Sequence, residues 1–409
     1  MNEKIKILIL GGGFGGIYTL KYLHNFFHQN KKVKLILVNK KNYFLFTPLL
    51  HEVATGSVSL ENTIEALREI IKCCDWDFIH GEVKKIDLEN KEVFIDDFKL
   101  NYDYLVIALG STTNFYNIPG AEENSFTLKS IDDAIKLKNH FIHSFEKASL
   151  NYQEGDLNFV IVGGGATGVE LAAEMSDYFY ETFNKLYSKE LIEKVRIFLI
   201  ERGTDLIPQF SLKLRELAKK TLIKKKVEIL LNKGVIEVGK DFVKLDDGTI
   251  IKSKTIIWVA GVKPNLPEIV GKIEKDNKGR LIVNEYLQVK NYSNVFAVGD
   301  VCCLVQNEKP LPQLAQVATK EAKYVAWNIK NLIENKNLKK FVYQHTGDLI
   351  SLGRFYAIGE IGRFTFSGFF TWILWRGVYL CKMVSFRDQL KTIVDWFTNL
   401  FLPRDISEI

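Results

Sequence analysis

An α/β protein with two doubly wound domains in succession is what this sequence predicts, and three observations predict it. A short apolar strand runs straight into a glycine-rich loop and then into a helical pattern, and this happens twice in 409 residues. Each of these units is closed by a second apolar strand that ends in a residue able to accept a hydrogen bond. The last part of the chain then changes character, to aromatic and amphipathic patterns.

The first unit opens on Lys4-Ile-Lys-Ile-Leu-Ile-Leu10, apolar enough for a buried parallel strand. Gly11-Gly-Gly-Phe-Gly-Gly16 follows at once. A helix pattern begins at Ile17 and runs through Leu20 and Leu23, and Val33-Lys-Leu-Ile-Leu-Val38 completes a βαβ unit. In that context Gly11 permits the tight turn, Gly13 lets the backbone approach a pyrophosphate, and Gly16 lets the helix pack on the strand. The helix N-terminus offers N–H groups and positive dipole to phosphate. Asn39 stands where an acid normally takes the ribose hydroxyls, and its amide oxygen can still accept a hydrogen bond.

The pattern returns in mid-chain. Leu157-Asn-Phe-Val-Ile-Val162 is a strand, Gly163-Gly-Gly-Ala-Thr-Gly168 the loop, and Val169-Glu-Leu-Ala-Ala-Glu174 the start of a helix. Val195-Arg-Ile-Phe-Leu-Ile200 leads into Glu201, farther from the loop than the usual interval of about 20 residues. The excess, Tyr178 to Glu193, reads as an extended crossover helix. A carboxylate at Glu201 accepts from the 2′-OH of NADH and repels the 2′-phosphate of NADPH, whereas Arg202 beside it could neutralise a phosphate. Two such units imply two dinucleotides held face to face, so that a hydride can cross between them.

Composition narrows the class. With 55 Lys+Arg against 49 Asp+Glu, the formal charge of +6 describes a solvated surface, and no nucleic-acid motif is present. Cys73, Cys74, Cys302, Cys303 and Cys381 form no metal or C-x-x-C spacing, as suits reduced thiols. The pairs His24/His28 and His140/His143 lack a third ligand, so no metal is expected. No signal peptide is read, because Ile5 to Leu10 leads into glycines, and no run of 18 uncharged apolar residues would span a bilayer.

With both loops placed, nearly all of the chain resembles the type II NADH:quinone oxidoreductases, the single-subunit NADH dehydrogenases that do not pump protons. Lys41-Asn-Tyr-Phe-Leu-Phe-Thr-Pro-Leu-Leu-His-Glu-Val-Ala-Thr-Gly56 is similar to the segment after that family's first βαβ unit. Tyr102-Asp-Tyr-Leu-Val-Ile-Ala-Leu-Gly-Ser111 resembles the strand and turn leaving the FAD domain. Trp258-Val-Ala-Gly-Val-Lys-Pro264 resembles the return crossing, and Asn294-Val-Phe-Ala-Val-Gly-Asp300 the second FAD signature.

The resemblance implies FAD on the first loop and NADH on the second. It carries FAD contacts to Gly11, Gly12, Gly13, Phe14, Gly15 and Gly16, to Asn39, Lys40, Thr47, Pro48 and Val83, and to Ala108, Gly110 and Asp300. It carries NADH contacts to Gly163, Gly165, Thr167, Gly168, Glu201 and Gly261. Leu311-Pro-Gln-Leu-Ala-Gln-Val-Ala-Thr-Lys-Glu321 resembles the quinone motif, in which Ala-Gln opens a helix against the flavin and a second Gln follows four positions later. Ala315, Gln316, Val317 and Ala318 match, and the last three join the FAD contacts. Lys320 replaces the second Gln, and Glu321 follows it. Catalytic roles are thereby implied for Gln316, Lys320 and Glu170, and a place at the quinone for Gln316, Lys320 and Lys382.

Toward the C-terminus, Phe364 to Tyr379 holds Phe366, Phe369, Phe370, Trp372, Ile373, Leu374 and Trp375. A second helical pattern puts Leu390, Ile393, Val394, Phe397, Leu400 and Phe401 on one face. Relatives use a two-helix segment here as an interfacial anchor, so the resemblance implies an amphipathic helical membrane anchor, with basic residues snorkelling.

The expectation is therefore a discontinuous FAD-binding domain (1–113 and 284–340), an NAD(H)-binding domain (114–283) and a C-terminal anchoring region (341–409). The protein is expected peripherally on the cytoplasmic face of the cell membrane, moving a hydride from NADH to flavin and two electrons to a membrane quinone. A homodimer is left open. Other readings are a flavin reductase serving a ferredoxin or rubredoxin, a sulfide:quinone oxidoreductase, or a flavin-binding redox sensor without turnover. Thiol chemistry is disfavoured, because residues 41–72 hold no cysteine.

Overall fold

The computed structural model describes residues 4–28, 30–71 and 76–408; Cys73 and Cys74 lie outside them. The chain packs into two units. The first comprises residues 1–44, 65–112 and 262–345, and the second residues 45–64, 113–261 and 346–409.

In the first unit a parallel five-stranded sheet runs Val295–Ala297, Tyr104–Ile107, Ile5–Leu10, Val33–Asn39, Trp76–His80. Its central strand pairs Leu10 with Val38 on one side and Ile107 on the other. Ile7, Leu8, Ile9 and Leu10 are wholly buried, each contributing about 1.5–3 kcal/mol by leaving water. Because the neighbours of this strand lie on opposite sides, the loop at its C-terminal end opens at a topological switch point, where doubly wound folds bind ligands. Helices Phe14–Phe27 and Ala315–Ile333 pack together in this unit. The first helix starts three residues before Ile17, because the loop glycines themselves take up its first turn. The residues 262–283, expected in the second domain, belong here: Glu268–Val270 pairs in parallel with Val83–Asp87 and extends the small sheet of Val83–Asp87, Glu92–Ile95 and Phe98–Asn101.

The second unit repeats the plan with a parallel sheet ordered Val227–Leu231, Arg196–Glu201, Asn158–Val162, Thr255–Trp258. The expected long crossover helix is broken. Helix Ala166–Asp177 widens into a π turn at Tyr178–Thr182, tightens at Phe183–Lys185, and a separate short helix follows at Lys189–Ile192. The cause is aromatic packing. Phe179 and Phe183 turn into a cluster with Phe141, Phe145 and Phe159, with ring centroids 4.5 Å apart for Phe145–Phe183 and for Phe159–Phe179.

The C-terminal residues 346–409 pack with this unit. They begin as an antiparallel sheet of Asp348–Ser351, Ala357–Ile361 and Phe364–Gly368. The residues 364–368, read as part of a helical pattern, are thus a strand; Phe364 and Phe366 share one face at period two and are both exposed. Helices Phe369–Lys382 and Phe386–Thr398 follow. The second buries Thr392 and Trp396, while Leu390, Ile393, Val394 and Phe397 are exposed. Among the described residues no helix is long and apolar enough to cross a membrane.

Candidate active site

Each unit carries one cradle, and the two are built alike. Gly11 has φ +107°, and a Cβ there would lie 2.2 Å from the Ala108 carbonyl oxygen; a Cβ on Gly16 would lie 1.8 Å from the Gly11 oxygen. Any side chain at these points would push the helix off the strand. Gly13 is different, since no protein atom comes within 4 Å of where its Cβ would be. It is the N-cap of helix Phe14–Phe27, which no side chain caps. The open ground before an uncapped helix N-terminus fits the pyrophosphate of a dinucleotide.

In the second unit Gly163 has φ +118° and packs against Ala260, and a Cβ on Gly168 would lie 1.9 Å from the Gly163 oxygen. Gly165 has nothing within 4 Å. Helix Ala166–Asp177 starts after it, again without a side-chain cap, and Thr167 is exposed in its first turn. Gly261, at φ +81°, leaves no room for a Cβ beside the Tyr116 hydroxyl.

The residues that close the two βαβ units brace their loops. Asn39 Oδ1 accepts from the Gly12 N–H at 2.8 Å, and its Nδ2 donates to the Lys41 carbonyl at 2.8 Å. Glu201 Oε2 accepts from the Gly164 N–H at 2.6 Å and Oε1 from the Gly203 N–H at 2.6 Å. A carboxylate has about four acceptor sites, so these two bonds leave Glu201 about two more. This bracing role was not visible in the sequence.

Around Gly299 and Asp300, Ser111 Oγ donates to the Asp300 carboxylate, the Gln313 amide donates to the Asp300 carbonyl at 2.9 Å, and the Gly299 N–H donates to Glu321 Oε2 at 2.7 Å. Glu321 is fully buried, and burial pushes its carboxyl up to about 8, with nearby Asp300 adding to the rise. Helix Ala315–Ile333 has no side-chain cap; Gln316 is half-buried in its first turn, while Val317 and Ala318 are buried. Lys320 donates to the Gln344 carbonyl at 2.6 Å and sits over the Tyr343 ring at 5.0 Å. Its ammonium is thus directed to the 343–344 backbone, not to Glu321.

The remaining expected contacts are scattered. Ala108 packs under Gly11, Gly110 is open at φ +69°, and half-buried Val83 opens its strand. Lys40 is exposed and reaches Glu82 at 3.3 Å. Thr47 and Pro48 begin the turn Thr47–Leu49 in the second unit. Lys382 is exposed at the end of its helix.

Glu170 is buried in the second unit, where its Oε1 accepts from the Ser351 N–H at 3.2 Å. Burial raises its carboxyl to about 8, and the charges of Glu52 and Glu174 push the same way. Glu52, buried, accepts from Trp396 Nε1 at 2.6 Å, and burial followed by Glu174 lifts it to about 7. His51 beside it is pushed down to about 3 by burial and by Arg404. Glu52 lies within the recognised segment 41–56, but its partner is 344 positions away, so sequence reasoning missed it.

These features can be set beside known proteins. A family model described as pyridine nucleotide-disulphide oxidoreductase matches residues 5–322, and one described as the NDH2 C-terminal domain matches residues 345–405. The type II NADH:quinone oxidoreductase of Mycobacterium tuberculosis is 31% identical over 420 residues, covering 98% of this chain and 89% of that protein. The chain belongs to the type II NADH:quinone oxidoreductase family. A probable NADH dehydrogenase of Dictyostelium discoideum is 35% identical over 422 residues, 99% of this chain and 91% of its own length. The NDH2 structure from Plasmodium falciparum in complex with NADH superposes with a TM-score of 0.91 at 24% identity, covering 99% of this chain and 100% of that one. The sulfide:quinone oxidoreductase of Aquifex aeolicus shares the fold at a TM-score of 0.76 and 21% identity, over 98% and 96% of the two chains. Of the described cysteines, Cys302 and Cys303 are buried, and burial pushes both thiols up, away from the reactive thiolate.

Proposed function

We infer that the protein is an FAD-dependent NADH:quinone oxidoreductase that works in two half-reactions. The observation that carries this is the pair of open cradles, at Gly13 and Gly165, in a chain that ends in the NDH2 C-terminal domain. Bound FAD would supply the two-electron chemistry, accepting a hydride from NADH and passing electrons to the quinone. The residues proposed to hold it are Gly11–Gly16, Asn39, Ala108 and Asp300, and those proposed to hold NADH are Gly163–Gly168, Glu201 and Gly261. Gln316, Lys320 and Lys382 are assigned to the quinone, with Lys320 able to donate from the position it holds against Gln344. Steady-state turnover tests this reading. Without oxygen, the flavin-loaded protein should consume NADH beyond one equivalent per flavin only when a quinone is present, at one quinone per NADH; continued anaerobic consumption that ignores quinone would refute it.

Glu201 is proposed to select NADH. Glu201→Ala should lose at least one bond to a charged acceptor, about 1.5–3 kcal/mol, or about tenfold to a hundredfold in kcat/KM for NADH, and should narrow the preference over NADPH. Because Glu201 also braces Gly164 and Gly203, Glu201→Gln is the matched control. An unchanged NADH/NADPH ratio in both would remove Glu201 from the ribose.

The two C-terminal helices are proposed to lie on the membrane surface, with the protein peripheral on the cytoplasmic side. Support comes from the outward apolar row Phe370, Ile373, Leu390, Val394, Phe397 and Phe401. Deleting the segment would also remove Trp396 from Glu52, so point changes are the cleaner test. Phe397→Ser with Phe401→Ser, at 61% and 73% exposure, should leave folding intact and weaken liposome binding about tenfold or more. Unchanged sedimentation with liposomes would overturn the anchor.

A further inference from the structure

In the first unit, helix Ala315–Ile333 turns a buried face to the turn Gly299–Val301, and that face carries an acid. Ala318 and Glu321 lie three positions apart, so they share one face of the helix. Gly299 holds φ +74°, and a Cβ there would lie 3.2 Å from the Ala318 Cβ. Two small residues thus let helix and turn come close, and Glu321, one turn further on, reaches the turn's backbone.

Strand Val295–Ala297 ends just before this turn, and the Val298 N–H still donates to the Ile107 carbonyl at 3.0 Å. The next N–H, that of Gly299, donates to Glu321 Oε2 instead. Gly299 is half-buried, and leaving its N–H without a partner is costly, so an apolar side chain could not stand in for this acid. Two further ties hold the same turn: the Gln313 amide on the Asp300 carbonyl and the Ser111 hydroxyl on the Asp300 carboxylate.

We propose that Glu321 is a positioning residue for the flavin: through the Gly299 N–H it locks the turn Gly299–Val301 onto helix Ala315–Ile333, fixes Asp300 relative to that helix, and stands behind the site as a group able to gain a charge. The proposal rests on the FAD reading above, in which Asp300 and the first turn of the helix meet the flavin. Glu321 itself is covered by protein, so it acts through Gly299 and Asp300 and not by touching the cofactor.

The charged and titratable groups that face Glu321 are Asp300, Arg280 and Cys302. Arg280 pairs with Asp276 at 2.8 Å and donates to the Leu311 carbonyl at 3.2 Å, so it offsets only part of the negative charge. The Cys302 thiol, pushed up by burial, is neutral. Lys320, the neighbour in sequence, is directed to the Gln344 carbonyl. Burial, with Asp300 adding to it, therefore keeps Glu321 protonated up to about pH 8, and ionisation above that puts a second negative charge near Asp300.

Two variants test this. Glu321→Gln keeps an oxygen for the Gly299 N–H but never ionises, whereas Glu321→Leu keeps much of the bulk and loses the acceptor. Titration of the flavin-free proteins with FAD at neutral pH should show Glu321→Leu weaker by about tenfold or more, and Glu321→Gln within about threefold of wild type. Redox titration of the bound flavin supplies the second readout. Below about pH 7 both side chains are neutral, and wild type and Glu321→Gln should share one potential. Above about pH 9 the wild-type carboxylate makes the flavin harder to reduce, and its potential should fall below that of Glu321→Gln. This comparison stands even where Glu321→Leu fails to fold. Unchanged FAD affinity in a folded Glu321→Leu, or potentials that coincide at every pH, would overturn the proposal, and a lower melting temperature with neither change would make Glu321 structural only. A wild-type protein that takes up no FAD would instead sink the reading on which the proposal rests.

Discussion

Replacing Gly13 with valine will leave the protein folded and strip it of flavin. The backbone there is extended, at φ −84° and ψ −166°, so any residue can adopt it, and no protein atom lies within 4 Å of the added Cβ. The side chain would instead fill the ground before the helix N-terminus. Phosphate bonds to backbone N–H groups are charge-assisted and worth about 1.5–3 kcal/mol each, so losing two or more costs at least about two orders of magnitude in affinity. The purified variant should be colourless with a normal circular dichroism spectrum. Gly165→Val should do the complementary thing, keeping the yellow flavin while NADH no longer bleaches it. Gly16→Ala is the contrast, since its Cβ would meet the Gly11 oxygen at 1.8 Å and the strand–helix packing itself would fail. A Gly13→Val protein that retains full flavin would show that the pyrophosphate does not sit at this helix end.

Arg404→Ala should strongly destabilise the second unit. Its side chain is 10% exposed and that of Glu174 4%. Removing the guanidinium leaves a carboxylate in low dielectric, and breaking such pairs costs about 3–5 kcal/mol. The apparent melting temperature should fall by several degrees. Glu174→Gln in the same background should recover part of the loss, because the stranded charge is then gone. A melting temperature unchanged by Arg404→Ala would mean that water already solvates Glu174.

The two cradles were legible because their signals are local. Strand, glycines and helix follow one another, and the tasks of Gly11, Gly13 and Gly16 depend only on backbone geometry. The resemblance supplied the family and the C-terminal helices. What stayed hidden depends on partners distant in the sequence. Glu52 meets Trp396, Glu170 meets the backbone of Ser351, and Glu174 meets Arg404. No periodicity in residues 50–54 or 166–177 announces those meetings. The π turn after Asp177 was missed for the same reason, since it answers to Phe141, Phe145 and Phe159 and not to helix propensity. Strand Phe364–Gly368 was absorbed into the helix that follows because its aromatics also fit a helical stripe. Lys320 was legible as a departure from the family pattern, but not its hold on Gln344.

Anaerobic stopped-flow mixing in two stages tests the central claim most directly. NADH at one equivalent is mixed with the yellow protein, the NAD⁺ is allowed to leave, and a water-soluble quinone is added in the second mix. The account predicts that the flavin absorbance bleaches in the first stage and returns in the second, with no nucleotide needed for the return and neither step slower than steady-state turnover. A flavin that NADH bleaches but quinone cannot reoxidise, or one that NADH leaves yellow, would contradict it.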